Sequence, residues 1–300
     1  MLRPVPPPQK IKEKKKKTIL VSILVCAVLS FFIYGILWVF GHPSLQVRSI
    51  KVEGNKILAS SEVEQGVRAT LAGKYFYIVP KTFILFYPEK KIVSSLLSDF
   101  PRIAVAAVSL DDKKNLTVAV RERDAAGIWC GEKETVFEPS ASSTDDAPCY
   151  YLDASGFIFD TSPRFSGDAY FVFYGKGLLE KKEPIGQNLV SGETFEKIME
   201  LRQFIGKYGN TIVSASLGKD AYVELVRDDG MKILIFADQD IPTLESNMQA
   251  VFRSPSWQHD HFKGTGGEAG SPIEYLDFRF GNKVFYRYEG EIASSTAAVP

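Results

Sequence analysis

Residues 18–41 read TILVSILVCAVLSFFIYGILWVFG, without one charged side chain. At about 1.5 Å of rise per residue, a helix of that length crosses a hydrocarbon core of about 30 Å. Gly35 fits a membrane helix, where glycine is common, and Trp38 suits the water–lipid boundary. The other flank is cationic: Lys10, Lys12, Lys14, Lys15, Lys16 and Lys17 are relieved only by Glu13. Lysine-rich flanks stay on the cytoplasmic side, so the N-terminus is expected inside and everything after residue 42 outside. A secretory signal peptide has a shorter apolar region and a small-x-small cleavage site, which Gly41-His42-Pro43 does not offer. A buried core helix seldom carries a one-sided wall of lysines. The stretch reads as a retained single-pass anchor in contact with membrane lipid.

Beyond the anchor about 260 of the 300 residues remain, enough for two small domains or one larger one. Charge is balanced overall, 36 Lys and Arg against 36 Asp and Glu, but the basic excess gathers before the span. Alone, that run resembles a nucleic-acid patch. Beside a span it reads as a topogenic signal that also meets anionic lipid. No nucleic-acid surface is expected outside the membrane. Cys26 lies in the span, whereas Cys130 and Cys149 fall in the exported part, where oxidising conditions permit a disulfide. A bridge around the polar loop between them would stabilise by about 3 kcal/mol in the chain-entropy model. Two free thiols and metal ligation are the alternatives.

Residues 1–17 include Pro-Val-Pro-Pro-Pro and the lysine run, a composition expected to be disordered. In QVRSIKVEGN, residues 46–55, Ile50 and Val52 alternate with Lys51 and Glu53 as in a half-buried strand, and Gly54-Asn55 supplies a turn. Ser61 and Glu64 fit a capping box for a helix that places Val63, Val67 and Leu71 on one face and stops near Gly73. Residues 75–79 are short and aromatic. Pro88 suits a first helical position, with Ile92, Val93, Leu96 and Leu97 as the apolar stripe and Phe100-Pro101 as the stop. Two strands follow, 102–110 and 115–122, around a polar turn at 111–114. The order strand, helix, helix, strand, strand suggests a small sheet covered by two helices.

From Asp124 the pattern changes to short strands at 127–130, 149–153, 157–159 and 170–174, with a hairpin turn at 153–156. Residues 193–207 form an amphipathic helix facing inward through Phe195, Ile198, Leu201, Phe204 and Ile205. A meander is expected over 212–217, 222–226 and 231–236, then a helix over 242–252 and a glycine-rich loop over 259–271. A final hairpin, 273–280 with 283–288, turns at Gly281-Asn282, and the tail from 289 to 300 reads as disordered.

These features together resemble the FtsQ/DivIB cell-division proteins over nearly the whole chain. The I-x-V-x-G-N of residues 50–55 matches their membrane-proximal module, which in that family is a POTRA domain. TVAVRERDAAGIW, residues 117–129, is similar to V-x-E-R-x-P-x-x-x-W at the domain junction, with Ala125 in place of proline. Tyr151-Leu152-Asp153 with Gly156 resembles L-[IV]-D-x-x-G, and Tyr275 to Phe280 resembles Y-[IV]-D-L-R-[FY]. The cysteine-flanked insertion and the loop at 259–271 depart from the pattern.

The resemblance implies an α+β protein: tail 1–17, transmembrane helix 18–41, POTRA-like β-α-α-β-β domain 44–123, and a mainly antiparallel β domain with flanking helices, 124–288. It implies a non-catalytic divisome scaffold in the bacterial cell membrane at the septum. Such a protein binds the single-pass proteins FtsL and FtsB (DivIC) and links them to septal peptidoglycan synthesis. Family members add a partner strand to their last strands, which implicates Arg279, Phe280 and Asn282, then Val284, Phe285 and Tyr286. An open edge with flanking aromatics offers backbone partners and apolar surface together. The other reading of those aromatics is core filling. The other reading of the whole is a POTRA-bearing module of another envelope or secretion assembly.

A rival is a type II membrane glycosyltransferase holding metal and sugar nucleotide at Asp238-x-Asp240, after the apolar run 231–236. The preceding region lacks the alternation of a nucleotide-binding sheet, and such aspartates are commonly turn and capping residues. His259-Asp260-His261 with Cys130 and Cys149 could in principle complete a zinc site, but solvated loop histidines fit the glycine-rich setting better. A Ser-His-Asp hydrolase would have to recruit one of those histidines, and no P-loop or nucleophile elbow is present. No catalytic residue, cofactor, resident metal or small-molecule substrate is expected.

Overall fold

The apolar stretch forms α1, Pro8–Gly41, in a computed structural model that describes residues 8–112, 114–131, 148–165, 169–175, 178–179, 183–218, 220–255, 257, 273–289 and 297–299. From Lys16 to Gly41 the helix is long and apolar enough to cross a membrane, and none of that stretch is buried within the protein. The helix starts well before residue 18, correcting the expectation of disorder over residues 8–17. Lysine and glutamate are good helix formers, and a helix nucleated in the apolar run extends back through them at little cost. The chain divides into two units, Met1–Glu122 and Arg123–Pro300.

In the first unit a single 3₁₀ turn, Pro43–Leu45, follows α1. Then come β1 (Ser49–Glu53), α2 (Ser60–Leu71), the short pair β2 (Lys74–Tyr75) and β3 (Val79–Pro80), α3 (Glu89–Asp99), β4 (Ile103–Leu110) and β5 (Asn115–Glu122). β5 is central: β1 lies parallel to it, with Ile50 opposite Leu116, and β4 antiparallel, with Val108 opposite Val118. Parallel neighbours need a crossover, and the intervening helices and β4 supply it. Val63, Val67 and Leu71 of α2 and Ile92 and Leu96 of α3 bury against Leu116, Val118 and Val120. Leu97 departs from the expected stripe and is 39 % exposed. The capping box does not form: α2 starts after Ala59 with no side-chain cap, and Glu64 instead pairs with Arg68 one turn on.

The loop between β1 and α2 explains that difference. Glu122, at the end of β5, is buried, and its carboxylate accepts the backbone N–H groups of Lys56 (2.6 Å), Ile57 (3.0 Å) and Leu58 (3.0 Å). Burial alone would raise its pKa, but these three donors and the nearby Arg102 charge outweigh it and hold the group below the ordinary carboxylate range. Gly54 lets the chain enter this loop at φ +85°, where a Cβ would lie 2.2 Å from the Val120 carbonyl oxygen.

The second unit contains β6 (Gly127–Trp129), β7 (Cys149–Leu152), β8 (Ile158–Ser162), β9 (Val172–Tyr174), α4 (Gly192–Gly206), β10 (Ile212–Leu217), β11 (Tyr222–Arg227), β12 (Lys232–Phe236), α5 (Ile241–Phe252), β13 (Ile273–Phe280), β14 (Lys283–Tyr288) and β15 (Ala297–Val299). Ten strands form one mostly antiparallel sheet in the order β15-β14-β13-β12-β11-β10-β9-β6-β7-β8. Phe195, Ile198, Leu201 and Ile205 of α4 and Leu244, Met248 and Phe252 of α5 bury against Ala215, Leu225, Ile233, Leu276 and Phe278. Phe204 is only partly buried. Cys130 and Cys149 are disulfide-bonded, one step beyond the Trp129–Tyr150 pair of β6 and β7. Most of the loop between them, and the whole stretch 259–271, lie outside the described residues.

Glu122→Ala should lower unfolding free energy by about 2–3 kcal/mol, since buried donors lose their acceptor. Amide exchange at Lys56, Ile57 and Leu58 should accelerate, which a general loss of stability would not single out. The folded pKa lies below the unfolded value near 4.5, so this contribution is present above that pH and lost as pH falls through the folded pKa. Urea unfolding below pH 4.5 should therefore weaken more steeply in the native sequence than in Glu122→Ala.

A candidate partner-binding edge

The β13–β14 hairpin turns at Gly281-Asn282, and its register shifts between Asp277 and Phe280. Leu276, Phe278 and Val284 point into the core. Phe280 is 56 % exposed and meets half-buried Phe285 edge to face at 5.0 Å. Asn282 is exposed, and Tyr286 is half-buried against Tyr288. Phe280, Asn282 and Phe285 thus share one accessible hairpin end, whereas Tyr286 lies opposite Leu276 and packs against the core. Val284 does not present its side chain there, because alternation along β14 sends it inward.

Arg279 has a different setting from that expected of a purely partner-facing residue. Its backbone N–H, Nε and Nη2 donate to the buried Asp277 carboxylate at 3.1, 2.8 and 2.5 Å. The guanidinium also lies 5.4 Å from the Tyr222 ring, 5.7 Å from Phe236 and 5.9 Å from Phe280. The hydrogen bonds to Asp277 raise the Arg279 pKa, against the lowering effect of burial. Burial raises that of the Tyr222 phenol, with Glu224 adding to it. The outer face of the arginine remains partly open beside Phe280.

Along its other border β14 is not open throughout. Val284, Phe285 and Tyr286 pair antiparallel with Val299, Ala298 and Ala297 of β15. The expectation of disorder over residues 289–300 is therefore corrected at Ala297–Val299, and the expectation of a free border on β14 is corrected over those three positions. Among the described residues, β15 pairs with none of Lys283, Arg287 and Tyr288 of β14. The sheet ends on β15, three residues long.

The junction motif is spent on structure. Arg123 forms an ion pair with Asp153, whose other oxygen accepts Ser155 N–H (2.8 Å), Ser155 Oγ (2.7 Å) and Phe157 N–H (3.1 Å). Burial would raise the Asp153 pKa, but these donors outweigh it and lower it. Arg123 also covers the Phe157 ring at 4.2 Å. At Gly156, φ +76°, a Cβ would lie 2.7 Å from the Phe195 ring, so this turn accepts glycine alone.

For metal chemistry, Asp240 caps α5, accepting Thr243 N–H at 3.0 Å and Thr243 Oγ1 at 2.7 Å. Asp238 is exposed. Cys130 and Cys149, bonded to each other, are not thiolate ligands. His259 and His261 lie outside the described residues, among which no group of three or more His, Cys, Asp or Glu side chains is placed to hold a metal. No family model matches the sequence, and a search of curated proteins found no match.

Arg279→Ala should destabilise the second unit by about 2–4 kcal/mol, because the buried Asp277 carboxylate loses its cation. Urea unfolding would measure the loss. The double variant Arg279→Met with Asp277→Asn should recover part of it, an outcome that a purely surface role for Arg279 does not allow.

Proposed function

We infer that this protein is a bitopic scaffold of the bacterial division machinery, with α1 as its membrane anchor and its N-terminus cytoplasmic. On this reading the first unit is the POTRA-like domain and the second is the partner-binding β domain of an FtsQ/DivIB-type protein at the septum. The activity is binding: FtsL/FtsB-like single-pass proteins are held outside the membrane and coupled to septal peptidoglycan synthesis. Support comes from the order of the sequence motifs and from a two-helix, three-strand unit followed by a large sheet.

The observation that carries the reading is the terminal ribbon. It combines exposed Phe280, set edge to face against half-buried Phe285, with a last strand only three residues long. Such a strand contributes few ladder hydrogen bonds, and a longer incoming strand can make the same bonds and cover the aromatic pair as well. The partner strand takes the position of β15 on β14, so tail and partner compete for one border.

Phe280→Ala and Phe285→Lys should each weaken FtsL/FtsB binding by about 1 kcal/mol or more, roughly fivefold in Kd, by calorimetry. Ending the chain after residue 289 should tighten binding, since no tail strand has to be displaced. Unchanged affinity in all three variants would sink the proposal.

A further inference from the structure

We propose that the β2–β3 hairpin is a second membrane contact, whose aromatic tip rests in the outer interfacial layer of the bilayer that α1 crosses. The inference rests on the reading of α1 as a span, and it is independent of any protein partner.

The tip is Phe76-Tyr77-Ile78. Phe76 is 91 % exposed and Tyr77 is 96 % exposed. Both occupy the left-handed region, at φ +48° and +62°, where large side chains are seldom found. Nothing within the described chain rewards that conformation with burial. Backbone held in a sparsely populated region, with aromatic rings pointed at solvent, marks a surface built to meet something else. Leu85 and Phe86, in the next turn, are 72 % and 56 % exposed and extend the apolar surface.

Position selects lipid as the occupant. The hairpin adjoins the end of the span: β3 has Cα atoms within 8 Å of α1, and Phe83 meets Phe40 of α1 edge to face at 5.1 Å. Backbone hydrogen bonds from Val47 N–H to the Thr82 carbonyl (2.8 Å) and from Ile84 N–H to the Leu45 carbonyl (3.0 Å) fix this segment to the chain leaving the helix. Phe83, itself buried, stacks on Phe86 at 5.9 Å and so ties the exposed loop to the end of α1. Composition agrees: tyrosine and phenylalanine with lysine on either side, Lys74 and Lys81, suit a boundary where rings enter the headgroup layer and ammonium groups meet phosphate.

The test uses the full chain in nanodiscs of mixed phosphatidylcholine and phosphatidylglycerol. A Cys26→Ser background leaves the disulfide intact, and a spin label is placed at Tyr77→Cys, Leu85→Cys, Leu29→Cys in α1, or Ser98→Cys on the exposed side of α3. Collision with oxygen, which concentrates in lipid, is compared with collision with a water-soluble nickel chelate. Labels at 77 and 85 should give an oxygen-to-nickel ratio several-fold above that at 98, and 77 should read shallower than 29. Ratios at 77 and 85 equal to that at 98 would overturn the proposal. So would labels shielded from both reagents, the signature of a protein contact. An aqueous reading at 29 would overturn the span itself, and is separable because it appears at a site the hairpin does not touch.

Discussion

A single buried carboxylate decides how the first unit closes. Glu122 sits at the end of its central strand, and without donors its burial would cost several kcal/mol. The three amides of residues 56–58 supply those donors, so the loop leaving β1 must wrap the end of β5. That wrap sets where α2 begins, and α2 supplies Val63, Val67 and Leu71 to the core. The next residue, Arg123, plays a matching part in the second unit, where it neutralises buried Asp153 and lies over Phe157. Two adjacent residues of opposite charge are thus each consumed by structure within their own unit. The motif that carries the family resemblance is a folding device, and catalysis is not needed to explain its charges.

Much of the fold was legible because burial follows local period. Leu116, Val118 and Val120 alternate along β5, and Val63, Val67 and Leu71 recur at helical spacing, so both inner faces could be read from single segments. What escaped depends on distant partners. The amides that hold Glu122 are more than 60 residues away in sequence, and the capping box at Ser61 and Glu64 gave way to that long-range demand. Arg279 is a milder case. Asp277 and Arg279 are two apart on one strand and so share a face, a signal that was available for reading the arginine as an internal partner as well as a surface group. The tail strand left almost no trace, because Ala297-Ala298-Val299 pairs through its backbone and asks little of side-chain pattern.

That tail changes the physical meaning of the sheet edge. An uncovered β14 would present a continuous row of donors and acceptors, the surface that promotes edge-to-edge association. Among the described residues, three of the same chain, Ala297–Val299, pair with it. Such a cover blunts edge-to-edge association, and on the proposed function its few hydrogen bonds would let a better-matched strand replace it. Exposed Phe280 and half-buried Phe285 lie on the hairpin that β15 borders, so on the proposed function an incoming segment would have apolar surface to gain as well as backbone bonds to exchange. On the proposed function, selectivity would reside in side chains flanking the ladder, because the ladder itself would be nearly neutral between tail and partner.

The same reasoning bears on how the first unit meets α1. A chain leaving a membrane helix through a free linker could turn in any direction, and the unit behind it would have no fixed attitude. Here the linker is not free: residues 45–47 exchange backbone hydrogen bonds with residues 82–84 immediately after the helix, and Phe83 seals against Phe40. The helix end, the linker and the loop after β3 therefore form one braced joint. Bracing by hydrogen bonds sets orientation, but bonds in water are exchangeable at small net cost, about 1 kcal/mol each. Apolar surface beside the joint adds a term that water cannot replace. The exposed rings of Phe76 and Tyr77 are hard to understand as isolated decoration and easy to understand as the second support of a unit whose first support is the helix.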